Sequence, residues 1–257
     1  MKPYLMFYSS ILSVITLSLI SFDACAYRDT ARDKYRNPDQ TIAFFGLNPE
    51  MTVIEISPGR GWYTEYLAGY LNGNLIAAHF DPDSPSKYHQ NSLRNFRKLI
   101  DSDQDLFSNV SIQIFDAGSG KLTVPDASVD AIVTFRNIHG WMRNRKELSA
   151  FKLFFKALKP GGILGVVQHR ADDETPLAGK SSTGYVSENY VISIAEKAGF
   201  FLEAKSEINA NPRDTKDYEK GVWTLPPSMR LGDQDKEKYL AIGESDRMTL
   251  RFRKPKS

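Results

Sequence analysis

Cysteine is almost missing from the sequence: Cys25 is the only one among 257 residues. Disulfide bonds, thiolate nucleophiles and thiolate metal sites all need cysteine. If the leader described below is removed after Ala26, the remaining chain has none. Those three kinds of chemistry are then excluded, and the stability of the domain must come from its hydrophobic core.

Excess charge of one sign is also absent. The chain carries 33 Lys and Arg against 31 Asp and Glu, a formal net charge of +2. Proteins dedicated to nucleic acid usually present a strongly basic face, so we expect no nucleic-acid partner. We find no internal repeat and no low-complexity block. We predict a single domain over residues 27–257, long enough for one large α/β core.

The first residues carry a targeting pattern. Lys2 precedes an uncharged stretch, Pro3–Phe22, and Ala24-Cys25-Ala26 matches an A-x-A cleavage site. We predict that residues 1–26 are a secretory signal peptide, so that the mature protein is exported to the periplasm and leaves the membrane. The alternatives are an uncleaved membrane anchor and a lipoprotein cut before Cys25, and both also place the body outside the cytoplasm.

Beyond this leader, strand-like segments alternate with amphipathic helices. The predicted strands are Thr52–Ile56, Asn74–Phe80, Val110–Phe115, Val129–Phe135, Ile163–His169, Phe200–Ile208 and Arg247–Arg253. The predicted helices begin near Pro38, Tyr63, Lys87, Arg145 and Glu188. This alternation indicates an α/β, doubly wound fold: a mostly parallel seven-stranded sheet with helices on both faces. The polar segment Tyr27–Asn37 is expected to wrap on the domain or trail from it.

A long segment, residues 209–246, separates the sixth and seventh predicted strands. It carries Trp223, the pair Pro226-Pro227 and a short helical pattern at Gln234–Ala241. Loops of this length in compact domains are usually either functional or disordered. The aromatic and apolar content of this one favours an ordered C-terminal cap insertion over the site.

Ligands of open α/β sheets bind beyond the carboxyl ends of the strands. The residues that the predicted strands place there are Glu55, the Ser57–Gly61 loop, His79, Asp81, Asp116, Ala117, Arg136, Asn137, His139 and His169. The loop joins a strand to the start of a helix, where backbone N–H groups can face a ligand. Glycines 59 and 61 would let the backbone approach that ligand closely.

Three segments in order resemble the motifs of the class I S-adenosylmethionine-dependent methyltransferases. Glu55–Gly61 resembles their first motif, acid-x-G-x-G-x-G, with Ser57 in place of the first glycine. Asp116-Ala117 followed by Val124–Asp130 resembles the run into the fourth strand. Ala157–Leu164 resembles the turn into the fifth strand of the ubiquinone/menaquinone-type enzymes. The whole chain is similar to exported bacterial predicted methyltransferases of unknown substrate.

The resemblance implies a Rossmann-like methyltransferase fold, with the last strand antiparallel beside the fifth, and S-adenosyl-L-methionine as cofactor. In such enzymes the residue matching Glu55 orients the methionine end of the cofactor. Those matching Gly59 and Gly61 let the backbone approach it, and those matching Asp116 and Ala117 hold the adenine edge.

The resemblance leaves the ribose ligand open. An acid at the end of the second strand normally binds the ribose hydroxyls, but the spacing lands on His79. Asp81 lies two residues further on and faces the same way, so both are candidates. Arg136 and Asn137 are expected to complete the cofactor site and to orient the acceptor.

The predicted activity is methyl transfer to a small-molecule acceptor. The methyl group of a sulfonium is already activated, so the protein mainly has to position the reactants and exclude water. A nitrogen or thiol acceptor needs little help from a base. An oxygen or carbon acceptor needs one, and His139, His169 and Tyr63 are the candidates. The acceptor and the oligomeric state are not encoded in any pattern we recognise.

Two other functions compete with this one. S-adenosylmethionine is made in the cytoplasm, so an exported chain could instead be a non-catalytic periplasmic binding protein on the same fold. A metal-dependent hydrolase using His79, His139, His169 and an Asp is the third hypothesis. It lacks a paired ligand motif such as H-x-x-x-H, and we predict no metal.

Overall fold

A computed structural model describes residues 28–172 and 181–256 of the chain. The predicted signal peptide, residues 1–26, lies outside these ranges and stays a prediction. Within them, no helix combines the length and the apolar character that crossing a membrane would require.

Eight strands form one sheet. They are β1 (Val53–Ile56), β2 (Leu75–His79), β3 (Val110–Asp116), β4 (Lys121–Leu122), β5 (Val129–Phe135), β6 (Leu158–His169), β7 (Phe201–Ser206) and β8 (Arg247–Arg253). Their order across the sheet is β4-β3-β2-β1-β5-β6-β8-β7. Strands β3, β2, β1, β5 and β6 run parallel to one another, while β4 is antiparallel to β3 and β8 is antiparallel to both β6 and β7.

The predicted seven-stranded, mostly parallel sheet is therefore wrong in number and orientation: the sheet has eight strands of mixed orientation. The extra strand, β4, has two residues that pair with Phe115 and Asp116. A strand this short has no alternation to detect. The antiparallel last strand lies next to β6, as the methyltransferase resemblance implied.

Eight α-helices flank the sheet in the described ranges. They are α1 (Asp33–Arg36), α2 (Pro38–Phe45), α3 (Trp62–Tyr70), α4 (Lys87–Ser102), α5 (Ile138–Met142), α6 (Glu147–Ala157), α7 (Glu188–Lys197) and α8 (Lys236–Ile242). Local sequence fixes several ends: Pro38 opens α2, and the side chains of Ser86 and Ser187 accept the first free N–H groups of α4 and α7.

Both faces of the sheet are covered, which is the doubly wound arrangement. On one face Phe151 and Phe154 of α6 pack against Ile132 and Leu164. On the other face Phe45 of α2 and Leu67 of α3 pack against further strand residues, including Val133 and Ile163. Alternate strand residues thus bury in opposite cores, because successive side chains of a strand point to opposite faces.

The segment between β7 and β8 is ordered and lies close to the end of β6. A short 3-10 helix at Gly221–Thr224 and helix α8 give it regular structure. Val222 and Trp223 pack with Ala171 and Tyr185, which follow β6 in the chain. The Tyr185 hydroxyl donates to the Asp214 carboxylate at 2.8 Å. Residues 209–246 are therefore part of the folded body.

Gly165 of β6 tests how tightly α2 packs on the sheet. A Cβ at this position would lie 2.6 Å from the Phe45 ring, which is fully buried. We expect Gly165→Ala to lower the free energy of unfolding by about 1–3 kcal/mol, because the overpacked ring cannot move aside. Urea unfolding followed by circular dichroism measures this change.

Gly140→Ala is the matched control. A Cβ there meets nothing within 4 Å, and the residue is helical. We expect no loss of stability, and a gain of up to about 1 kcal/mol, because alanine has the higher helix propensity. Equal losses for the two variants would contradict the packing argument.

Candidate functional site

A cavity of about 1010 Å³ opens at the carboxyl ends of the central parallel strands. Residues that follow four strands line it: Ser57 after β1, Asp81 after β2, Asp116 and Ala117 at the end of β3, and Arg136 and Asn137 after β5. The far wall comes from α5 and from the segment between β7 and β8, through His139, Trp141 and Trp223. The ligand edge expected from the strand order thus holds a real cavity.

The loop between β1 and α3 forms one wall. Ser57 lines the cavity and has a positive φ of 51°, which is the conformation that the glycine of the resembling motif would adopt easily. Gly61 also has a positive φ of 81°, and a Cβ there would lie 2.2 Å from Leu99 of α4. Gly59 has a φ of 64° with open space beside it. The two glycines determine the backbone conformation of the loop, and Ser57 is the loop residue that lines the cavity.

Glu55 lies one layer behind this wall. It is buried in β1 and accepts a hydrogen bond of 2.6 Å from the Thr64 hydroxyl on α3. Burial raises the pKa of Glu55 to about 7, against the opposing effects of the Thr64 hydrogen bond and the charge of Arg136. Its side chain does not line the cavity; through Thr64 it joins β1 to α3 instead.

The two ribose candidates occupy different places. His79 is buried, its Nδ1 accepts from the Phe80 N–H at 2.8 Å, and its ring packs against Phe96. Burial is the main cause that lowers the pKa of His79 to about 4, so the ring is neutral. Asp81 lines the cavity and accepts from the Lys121 ammonium at 2.7 Å. Of the two candidates, Asp81 therefore lines the cavity and His79 does not.

Asp116 and Ala117 lie at the end of β3, on the same side of the cavity as Asp81. One carboxylate oxygen of Asp116 accepts from the Gly118 N–H at 2.8 Å, and the other accepts from the Ser119 hydroxyl at 2.7 Å. These bonds fix the orientation of the acid and hold its pKa below the ordinary value, although its partial burial acts in the opposite direction.

Arg136 and Asn137 close the cavity beside the glycine loop. Arg136 has a φ of 66°, a left-handed conformation that costs a residue with a Cβ about 1–2 kcal/mol. Asn137 donates to the Ile56 carbonyl at 2.8 Å and to the Thr134 hydroxyl at 3.0 Å, so it bridges β1 and β5. Strained residues of this kind persist where the surroundings enforce them and cluster at functional sites.

An arginine cluster lies against this wall and escaped the sequence analysis. We define it as Arg32, Arg36 and Arg247 around the buried Glu244. Arg32 Nε lies 2.5 Å from one Glu244 oxygen, Arg36 Nε lies 3.6 Å from the other, and Arg247 hydrogen-bonds to that second oxygen. In the described ranges these three arginines form ion pairs with no other carboxylate. Three cations therefore surround one anion.

Several guanidinium nitrogens of the arginine cluster are buried without a hydrogen-bond partner. They are Arg36 Nε and Nη1, Arg32 Nη2 and Arg247 Nε. Burial is the main cause that lowers the pKa of both Arg36 and the cavity-lining Arg136; the next largest effect on Arg36 comes from Arg136 and on Arg136 from Arg247. The signal in the sequence is the spacing of Arg32 and Arg36, four residues apart, within the polar segment that is expected to wrap on the domain or trail from it.

The three candidate bases are not equally placed. His139 lines the cavity, its ring lies 5.8 Å from that of His169, and its Nδ1 lies 3.3 Å from Gln168 Nε2. Burial is the main cause that lowers the pKa of His139 to about 4. His169 is buried, with Nδ1 at 2.5 Å from the Ser245 hydroxyl, and burial together with Arg247 lowers its pKa well below 6.5.

Tyr63 is turned away from the cavity. Its ring stacks on Phe135 with centroids 3.5 Å apart, and its hydroxyl donates to the Arg36 carbonyl at 3.1 Å. The structure therefore brings His139 to the cavity, keeps His169 behind it and leaves Tyr63 in the core. Both histidines are neutral at pH 7 and weakly basic.

The histidines do not assemble into a metal site. His79 packs against α4, away from the neighbouring His139 and His169. In the part of the chain that the structure describes, no group of three or more His, Cys, Asp and Glu residues could hold a metal ion. The hydrolase hypothesis therefore finds no ligand set there.

Trp223 brings the segment between β7 and β8 into the cavity wall. Its ring lies edge-on to His139, with centroids 5.7 Å apart. The guanidinium carbons of Arg143 and Arg230 lie 5.5 Å and 4.6 Å from its ring centre. The segment thus supplies an aromatic side chain and a cation to the wall opposite Asp81 and Asp116.

Comparison with solved structures places this geometry in a known fold. A SAM-dependent methyltransferase from Aquifex aeolicus is similar over 88% of this chain and 93% of that one, at 18% identity and a TM-score of 0.59. A SAM-dependent methyltransferase from Methanosarcina mazei covers 84% of this chain and 98% of its own, at 14% identity and a TM-score of 0.56. The chain has the Rossmann-like fold of SAM-dependent methyltransferases.

The fold does not by itself define the reaction. The [4+2]-cyclase SpnF is also similar, over 86% of this chain and 82% of that one, at 18% identity and a TM-score of 0.62. No protein-family model and no curated protein matches the sequence. The activity must therefore be argued from the cavity.

The position of Glu55 gives a testable pH effect. Between about pH 4.5 and 7, the native acid keeps a proton that the unfolded chain has lost, so the native state binds more protons and its stability falls as the pH rises. Gln can still accept from Thr64 but does not ionise. The stability of Glu55→Gln relative to wild type should therefore increase by about 2–3 kcal/mol between about pH 4 and pH 8. Denaturant unfolding across this range measures the difference, and a pH-independent difference would contradict a protonated buried acid.

Proposed function

We propose that the protein transfers a methyl group from S-adenosylmethionine to a small-molecule acceptor. The observation that carries the proposal is the cavity across β1, β2, β3 and β5, which presents acids over β2 and β3 and a guanidinium group beside the glycine loop. S-adenosylmethionine has hydroxyl groups and an adenine at one end and a carboxylate at the other. The acid-lined end of the cavity suits the hydroxyl groups and the adenine, and the end beside Arg136 suits the carboxylate.

The nucleoside end fits the acids and an aromatic wall. Asp81 and Asp116 offer carboxylate oxygens for ribose hydroxyls and for the exocyclic amine of adenine. Phe80 stacks on His89 with ring centroids 3.9 Å apart, and both line the cavity near Asp81. Ligand pockets are usually lined by aromatic and apolar side chains with a few polar groups, and this wall could hold the planar adenine base in that way.

The amino-acid end fits the basic side. Arg136 lines the cavity, and the unpaired nitrogens of the arginine cluster lie near it. A surplus of buried positive charge is costly unless an anion neutralises it. The carboxylate of the cofactor would supply that anion, and a guanidinium group is the donor best suited to a carboxylate.

The bound cofactor would supply an activated methyl group, and the chain would supply position and a dry site. Asn137 fixes the junction between the glycine loop and β5, so the wall beside the reacting centre is held in place. Trp141 and Trp223 line the acceptor side of the cavity and displace water from it. We further propose that residues 209–246 act as the cap over this side, through Trp223 and Arg230.

The proposal is tested by titrating S-adenosylmethionine into the purified protein in a calorimeter. We expect saturable binding to wild type. Asp81→Asn and Asp116→Asn should each weaken it by about tenfold or more, because each variant removes a hydrogen bond to a charged group. Asp101→Asn, at an exposed position at the end of α4, is the matched control and should not change the affinity.

Two outcomes separate the competing functions. Absence of S-adenosylmethionine binding to the folded wild-type protein would end the methyltransferase proposal. Binding without transfer of a labelled methyl group to any acceptor would instead favour the binding protein on the same fold. Export of the mature chain, with cleavage after Ala26, is part of the proposal and is checked by the N-terminal sequence of protein recovered from the periplasm.

A further inference from the structure

The charges that line the cavity are segregated. Its acids, Asp81, Asp83 and Asp116, all follow β2 or β3. Its bases, Arg136, Arg143, Lys146 and Arg230, all come from the other side, after β5, around α5 and from the segment between β7 and β8. The acids lie in the half that we assign to the nucleoside. Because Arg136 is assigned to the carboxylate of the cofactor, the other three bases, Arg143, Lys146 and Arg230, mark the part of the cavity that is left for the acceptor.

The cations of the acceptor half are available to a ligand. Within residues 28–172 and 181–256, none of Arg143, Lys146 and Arg230 forms an ion pair with a carboxylate. The contacts of Arg143 and Arg230 are with the Trp223 ring, at 5.5 Å and 4.6 Å from its centre. Both guanidinium groups thus border one aromatic side chain of the cavity wall, and both are exposed, so each can donate N–H groups to an anion in the cavity.

In the part of the chain that the structure describes, the acceptor half lacks a strong base. His139 is the candidate base that lines the cavity, and burial together with the positive charge of Arg143 lowers its pKa to about 4. His169 hydrogen-bonds to Ser245, and Tyr63 lies in the core. Among the described residues of the acceptor half, a neutral alcohol or phenol would therefore meet no stronger base than the weakly basic His139 ring, because the carboxylates that line the cavity lie in the nucleoside half. An acceptor that is already ionised needs none.

We infer that the acceptor is a small organic acid, methylated on its own carboxylate oxygen and held by the cations around Trp223. The inference rests on the proposed function and names its substrate class. A carboxylate oxygen donates a lone pair to the methyl carbon, forming the O–CH₃ bond. The S–CH₃ bond breaks, its electron pair stays on sulfur, and the products are a methyl ester and neutral-sulfur S-adenosylhomocysteine. No proton has to leave. Carboxylates are ionised at neutral pH, with an ordinary pKa near 4, whereas phenols are not.

The test uses the full mature protein saturated with S-adenosylhomocysteine. The probes are succinate and benzoate, each with its neutral amide, and benzylamine as a cation. We expect at least one carboxylate to bind in calorimetry at millimolar concentration, and its amide and the amine not to bind. Arg143→Gln and Arg230→Gln should each weaken carboxylate binding by about tenfold, and leave the affinity for S-adenosylhomocysteine unchanged.

Two variants control for charge and folding. Arg143→Lys keeps the cation and should recover part of the affinity. Arg94→Gln removes an exposed arginine of α4 outside the cavity and should have no effect. The inference is overturned, while cofactor binding stands, by any of three results. The protein binds both carboxylates and amides, it binds neither, or its affinity for carboxylates does not change in Arg143→Gln and Arg230→Gln.

A labelled methyl group tests the chemical step. With tritiated S-adenosylmethionine, we expect label in a product that releases volatile methanol in alkali, as a methyl ester does. His139→Asn should lower the rate by less than about tenfold, because a general base would contribute about 10²–10⁴. Three outcomes overturn the step. They are transfer of the label to the amine, binding of the carboxylate without formation of an ester, and a fall of about 10²-fold or more in the rate of His139→Asn. Absence of S-adenosylmethionine binding to wild type would instead overturn the proposed function itself.

Discussion

Glu244 is the buried carboxylate on which the site depends. It binds Arg32 from the N-terminal segment, Arg36 from α1 and Arg247 from the start of β8. These ion pairs tie the beginning of the described chain to its last strand. The neighbouring guanidinium groups hold the pKa of Glu244 near 2 despite its burial, so the anion persists at every physiological pH. Removing the carboxylate would leave two buried cations and a half-buried one, Arg32, without a counter-ion.

The same interaction explains why residues 28–36 are part of the domain. Arg36 lies 4.3 Å over the Trp62 ring, and the Trp62 indole N–H donates to the Asp29 carbonyl at 3.0 Å. The segment therefore covers the first turn of α3, next to the glycine loop. One carboxylate cannot neutralise three guanidinium groups, and the remaining field extends to Arg136 at the cavity wall. A structural ion cluster thus also makes one end of the cavity attract anions.

The sequence predicted the parts of the molecule that are encoded locally. Alternating apolar segments located the seven longer strands, and the glycine loop, Asp116 and Asn137 were found because they follow strands that end at one edge. The two-residue strand β4 carries no periodicity, so the strand count was wrong. The choice between His79 and Asp81 depends on side-chain burial, which spacing does not reveal. The arginine cluster joins residues more than 200 positions apart, and the contacts that unite them are tertiary.

The cavity is assembled from stretches of chain that meet only in the folded protein. Residues up to about Asn137 build the glycine loop and the acid-lined half, whereas the opposite half combines Arg143 and Lys146, which follow α5, with Trp223 and Arg230 from the segment between the neighbouring strands β7 and β8. Substitutions within the segment between β7 and β8 can therefore reshape one half without disturbing the other. Related chains that keep the acid-lined half and differ in that segment would share one end of the cavity and differ in what the other end admits, which is the pattern expected of a scaffold whose specificity is modular.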